Sequence, residues 1–355
     1  MSSLNPDFRG ADKVVKPDGV TCGWGDDGLH PAQATRIERT YGDALKADFP
    51  AAFRTRPAAD PEPEMLAAWN EFQKSKGRGE GSADWSLLDE FVTGGPLLWL
   101  PQLIGSCVFS NTFRAVVLRM MYQAVILGRA EEYFGRNEFG PNNFAPYAPW
   151  SYGMARRRAN MKRGDGLYCA PMKASMLKDG FLMCHTPALI KLLDRLGVGG
   201  EKDYPEPQGR DGMDVYRGFG SWSYLDDLAP YADNRLLECP DVTSADQLWD
   251  LLQAGKPAFV CSGEAIHKVG THPDGFAIHA RNPRDSWSHN MAFHGCWVAS
   301  DGERFIRQSN ESWGAKHIYN RRVSEVEDSF RRGRLTVAAI GEIQSPSSSP
   351  PMIGV

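Results

Sequence analysis

The sequence predicts an α+β fold, with helices gathered into one part of the chain and an antiparallel sheet into another. Three observations predict it. Apolar residues recur at helical spacing between about residues 108 and 254, and the period changes to two between about 257 and 340. Helical and extended segments do not alternate, as they would around a parallel sheet.

The elements follow in order. Residues 1–82 read as an N-terminal extension and linker, 83–342 as the main domain, and 343–355 as a Ser/Pro-rich tail that cannot build a core. Within the extension, helices are expected at 31–47 and 62–74, the second with Met65, Leu66, Trp69 and Phe72 as one apolar stripe. Residues 75–82 read as a flexible linker. A long helix is expected over 108–130, apolar around most of its circumference and therefore buried. Others follow at 152–161, 170–178 (stopped by Asp179-Gly180), 186–196 and 244–254 (stopped by Gly255). Strands are expected at 257–262, 291–299, 304–308 and 334–340. Ser300-Asp301-Gly302-Glu303 supplies the turn of a hairpin.

Bulk composition narrows the partners. With 40 Lys and Arg against 44 Asp and Glu the chain is slightly acidic, and no basic stripe suggests nucleic acid or an anionic membrane. Arg156-Arg157-Arg158 and Arg331-Arg332 read as solvated faces. The start shows no secretory pattern and no apolar run is long enough to span a bilayer, so a soluble protein of the cytoplasm or of a virion is expected. The 7 cysteines (22, 107, 169, 184, 239, 261 and 296) are scattered and lack CxxC spacing. Reduced thiols in a reducing compartment are the expectation, with Cys169 simply packing. Neither a metal nor a cofactor is expected; Cys184-His185 lacks the further ligands that zinc needs.

One set of residues carries chemistry. Cys107 sits in the first turn of the long helix, where unpaired N–H groups and the helix dipole favour a thiolate. Gly105 leaves room for substrate, and the Gln102 amide can face an oxyanion beside the Cys107 N–H. His289 heads a strand as a candidate base, with Asn310 just past the partner strand to fix its tautomer and Trp313 to cover that hydrogen bond. His294, five residues on, falls on the opposite strand face and is the weaker base. His267, His272 and His279 are placed in an exposed loop, and Asp214, Asp226 and Asp227 in a polar insert without an assigned role.

Gln102, Gly105-Ser106-Cys107, then His289 with Gly295, then Asn310 with Ser312-Trp313-Gly314 resemble the papain-like cysteine peptidases, in the same order along the chain. The resemblance covers about 84–340. It implies two lobes, one helical around a central helix that begins at the nucleophile, the other an antiparallel sheet or barrel. It also implies a Cys107–His289–Asn310 triad, an oxyanion role for Gln102, and Gly166 lying along a substrate backbone. The chain departs from the family's pattern where Gln102 stands five residues before Cys107, Val108 follows the nucleophile, and Glu311 is inserted after Asn310. A softer likeness is to virion-associated proteins of tailed bacteriophages. Two functions follow: a peptidase or amidase acting on a peptide or protein through a thioester, or a virion protein keeping the fold with little turnover among other virion proteins. A bacterial cell-wall amidase fits less well, because such enzymes usually pair Cys with two histidines.

Overall fold

The computed structural model describes residues 21–22, 61, 63–93, 107–129, 148–161, 166–182, 224–232, 234–286, 288–310 and 317–344. The helices expected at 31–47 and 186–196 and the tail beyond 344 lie outside them. The architecture is α+β, as the change of period predicts.

Strand β1 (Thr21–Cys22) is paired antiparallel with a later strand, β3 (Leu167–Tyr168). Helix α1 (Pro63–Ser75) lays Trp69 on Trp85, the rings stacked 5.3 Å apart. The segment read as a linker is hydrogen-bonded: the Gln73 amide donates to Ser82 O, and Asp84 N–H donates back to Gln73 Oε1. Residues 63–84 therefore wrap onto the main core. Strand β2 (Ala83–Asp84) and helix α2 (Leu88–Thr93) follow.

Helix α3 (Cys107–Met121) is buried along its whole length, as its apolar circumference predicts. It does not run regularly to 130. A π turn takes over at Tyr122–Ile126, where Leu127 N–H reaches back five residues to Tyr122 O. The Tyr122 ring is wedged edge-on against Trp85 at 4.8 Å. Helices α4 (Ala148–Arg158) and α5 (Cys169–Lys178) follow on the helical side. Gly180 at φ +81° closes α5, with both Asp179 and Gly180 N–H groups donating to Ser175 O. Arg156 overturns the solvated-face expectation: it is wholly buried and donates to Gly166 O, while Arg157 and Arg158 pair with Asp226 and Asp179. No described helix is long and apolar enough to cross a membrane.

After α6 (Tyr224–Leu228), β4 (Arg235–Leu236) and β5 (Asp241–Val242) comes α7 (Ala245–Gln253), capped by Ser244 Oγ accepting from Gln247 N–H. The main sheet then assembles from β6 (Ala258–Ser262), β7 (Ile266–Thr271), β8 (Ala277–Arg281), β9 (His289–Val298), β10 (Arg304–Ser309) and β11 (Ile318–Arg322). Helix α8 (Val323–Arg331), β12 (Leu335–Ala339) and β13 (Ile343–Gln344) end the described chain. The sheet order is β5-β12-β6-β9-β10-β11-β8-β7, with β2 also on β9. Pairing is antiparallel except between β11 and β8. The region read as a histidine-bearing loop is the β7–β8 hairpin. His272 is buried there, its ring stacked 4.7 Å from Phe276. Its Gly, Pro and Asp residues mask the period-two pattern.

The expectation of reduced thiols throughout is also overturned. Cys169 and Cys261 form a disulfide across 92 residues; separation along the chain gives no sign of such a pair, because the fold alone brings α5 to β6.

Gly255 closes α7 at φ +68°, and a Cβ there would lie 2.4 Å from the Tyr122 ring. Gly255→Ala should lower stability by about 2–4 kcal/mol, combining left-handed backbone strain with overpacking. Urea unfolding checks this, and an unchanged midpoint would mean the Tyr122 ring yields freely.

Candidate active site

Three described side chains of the expected site are completely buried: Cys107, His289 and Asn310, each 0% exposed. Cys107 is the first residue of α3, and the Asn111 amide donates to its carbonyl at 3.1 Å, bracing the first turn. The helix lies against β6 and β9. His289 is the first residue of β9, held opposite Ser262 of β6. Asn310 directly follows β10, its N–H donating to His317 O.

His289 and Asn310 meet. His289 Nε2 lies 2.8 Å from Asn310 Oδ1. A carboxamide oxygen only accepts, so Nε2 carries the proton and Nδ1 is the ring atom able to take another. This is the tautomer a base requires when its partner approaches from the Nδ1 side. Gln102, Gly105 and Trp313 lie outside the described residues.

Gly166, expected along a substrate backbone, is held by α4. Its N–H donates to Tyr152 Oη at 3.0 Å and its carbonyl accepts from Arg156 at 2.5 Å. Both backbone groups of Gly166 thus have partners from α4. The two side chains that hold it, Tyr152 and Arg156, were not singled out from sequence; a buried arginine next to two solvated ones leaves no compositional mark.

His294, the alternative base, points elsewhere. It is 1% exposed, and neither ring nitrogen has a hydrogen-bond partner among the described residues. Burial, aided by the nearby Arg114 charge, pushes its pKa down to about 3, so the ring is neutral and enclosed. His272, Asp301 and Glu303 converge among the described residues. His272 already bonds Asp301 through Nε2 and accepts from Asp274 N–H through Nδ1, which makes it a clasp between two hairpins.

Two neighbours of the site were unexpected: the Cys169–Cys261 disulfide and Asn290. Asn290 follows His289 and pairs with Cys261 across the strands. Its position after the candidate base was the one available sequence signal, and it is silent about chemistry.

No protein-family model and no curated protein matches the chain. Seventy-four chains of solved structures do. Xylellain, a cysteine protease from Xylella fastidiosa, is 13% identical with a TM-score of 0.45, over 80% of this chain and 91% of its own. The bromelain protease from Ananas comosus, in complex with the E64 inhibitor, is 11% identical at 0.42, over 74% and 100%. Procathepsin B S9 from Trypanosoma congolense is 13% identical at 0.41, over 85% and 89%. These are distant likenesses of outline, and the site stands on its own geometry.

His294 supplies a stability test. Its folded pKa of about 3 lies below the ordinary unfolded value of ~6.5, so the unfolded chain binds the extra proton between those limits. Stability is therefore lost as pH falls through that window, by up to about 1.4 kcal/mol per pH unit from this group. His294→Leu should flatten that slope and leave neutral-pH stability equal or higher, because it removes a buried polar ring that has no partner among the described residues. Unfolding midpoints from pH 4 to 7 check it; a variant as acid-sensitive as the parent counts against the assignment.

Proposed function

We propose that the chain is a cysteine hydrolase of papain-like design, a peptidase or amidase that attacks a peptide-like carbonyl through a thioester. The observation that carries this reading is the buried His289–Asn310 hydrogen bond, formed at one end of the strand on which the Cys107 helix packs. It fixes the imidazole in the tautomer a thiol needs.

In this reading His289 Nδ1 takes the Cys107 proton, and the resulting thiolate, favoured at the start of α3, attacks the carbonyl carbon. The Cys107 N–H and Gln102 face the oxyanion that develops. The imidazolium then protonates the leaving amine. Water, deprotonated by the same imidazole, releases the acid from the thioester. Asn310 holds the ring through the cycle, and Trp313 shields the hydrogen bond. Nothing among the described residues points to a virus particle, so the scaffold reading gains no support.

The test is reactivity. Iodoacetamide should alkylate Cys107 far faster than the other thiols, and Cys107→Ala should abolish hydrolysis with the fold intact. His289→Ala should slow both alkylation and hydrolysis by about 10²–10⁴-fold, the size of a general base's contribution. Asn310→Ala should cost less. Hydrolysis that survives in Cys107→Ala would refute the nucleophile.

A further inference from the structure

The base is not held by Asn310 alone. On the other edge of β9, Ser262 opposes His289 and Cys261 opposes Asn290. Cys261 is joined to Cys169, the first residue of α5, so a covalent tie runs from the helical lobe to the sheet one residue from the candidate base. On the helical side the tie is stiff, because Tyr152 and Arg156 clamp Gly166 three residues before Cys169.

Asn290 shows that the bridge is more than a staple. It is wholly buried, and its amide nitrogen lies 3.2 Å from Cys169 Sγ and 3.7 Å from Cys261 Sγ. Disulfide sulfurs are weak acceptors. Its amide oxygen has no partner among the described residues. A thiol, unlike a disulfide sulfur, is also a donor. Reduction would give this oxygen two S–H groups to accept from, after a flip of the amide. The pocket therefore provides for the dithiol as well as for the disulfide.

We propose that the Cys169–Cys261 disulfide and Asn290 form a redox-controlled positioning clamp for His289, closed when oxidised and opened by a dithiol reductant. The catalytic consequence rests on the hydrolase reading above; the clamp itself does not. A thiolate of the reductant attacks the Sγ of Cys169, the more exposed of the two residues at 5% against 1%. The S–S bond breaks and Cys261 leaves as a thiolate beside the Asn290 amide, then takes a proton. The reductant's second thiol displaces Cys169 from the mixed disulfide, closing its own ring. Two electrons and two protons pass from dithiol to protein. Without the tie, the covalent link between β6 and α5 is lost and only non-covalent contacts such as the Asn290 amide remain, so the imidazole loses a support.

The experiment uses the full chain equilibrated in dithiothreitol redox buffers and desalted, with thiols at 169 and 261 mapped by mass spectrometry. Two signals are read: the imidazole ¹⁵N shifts of His289 at fixed pH, and the rate of Cys107 alkylation. As the bridge opens, the His289 shifts should change and Cys107 alkylation should fall by about 10- to 100-fold, the scale of a slightly misplaced group. Very weak reductant should also give low activity, through oxidised Cys107, so reactivity peaks between. Cys169→Ser/Cys261→Ser should be fixed in the slow state. Asn290→Ala, which keeps the bridge and guards against a misfolded double variant, should lose part of the difference between the two states. His289 shifts identical in both states would overturn the clamp. Fast Cys107 alkylation indifferent to the bridge would also overturn it while leaving the hydrolase reading standing. Redox-sensitive His289 shifts with an unreactive Cys107 would do the reverse.

Discussion

Everything at the site depends on one extra residue in β9. Between Arg304 and Arg307 of β10 the partners on β9 run from Val298 to Gly295, but Gln308 then opposes Phe293. His294 is skipped, and the register slips by one. Continued past Ser309, the shifted register sets Asn310 opposite Met291, and so on the same face as His289, its diagonal neighbour. Without the bulge Asn310 would oppose Ala292 and share a face with Asn290. A one-residue slip exchanges faces completely, so the 2.8 Å contact between imidazole and carboxamide exists because the strand carries one residue too many. His294 fills that surplus position, which accounts for a buried histidine whose ring nitrogens have no hydrogen-bond partner among the described residues.

A bulge that sets the His289–Asn310 contact has to be held in place, and buried charge surrounds this one. Asp84, on β2, sits opposite Gly295, where a Cβ would come within 2.5 Å of its carboxylate; only glycine admits so close an approach. Burial works to raise the Asp84 pKa, but the Arg307 and Arg78 guanidiniums, 2.9 and 2.7 Å away, overcome it and hold the carboxyl below its usual range. On the other side of the slip, Gln308 accepts from Arg321, itself paired with Glu264 and Glu325. Buried pairs of this kind add little net stability over an apolar core. A shifted register would strand one partner of each, at a much larger cost. Their contribution is to exclude the alternative pairing that would turn Asn310 away.

The sequence made this legible in part, and the division has a physical reason. Local periodicity marked α3, α5, α7 and the β9–β10 hairpin, because each buries a face of its own. The residues proposed as base and orienting amide were legible too, since a hairpin brings its two ends together whatever lies elsewhere. What stayed hidden depends on distant packing. Arg156 looks like its neighbours until Gly166 is seen against it. Cys169 and Cys261 read as reduced thiols because nothing local couples helix α5 to strand β6. The β7–β8 hairpin reads as a loop because Gly270 and the Pro273-Asp274-Gly275 turn interrupt its short apolar alternation. The bulge itself is invisible in one sequence, since an inserted residue and an ordinary alternation differ only in the pairing partner.

The same strand end explains why a disulfide changes the reading of the chain's surroundings. Uniformly reduced thiols suited a compartment where the nucleophile never oxidises. In the proposed clamp, a bridge one residue from the candidate base, beside an amide able to pair with either redox form, would respond to a changing redox poise. The two requirements oppose each other: Cys107 must be a thiol while Cys169 and Cys261 are joined. They are compatible when the bridge, enclosed between α5, β6 and β9, exchanges more slowly or is harder to reduce than a mixed disulfide on Cys107. Burial of Cys261 against Asn290 supplies that protection, so in the proposed reading the geometry that supports His289 also sets the redox window in which Cys107 is a thiol.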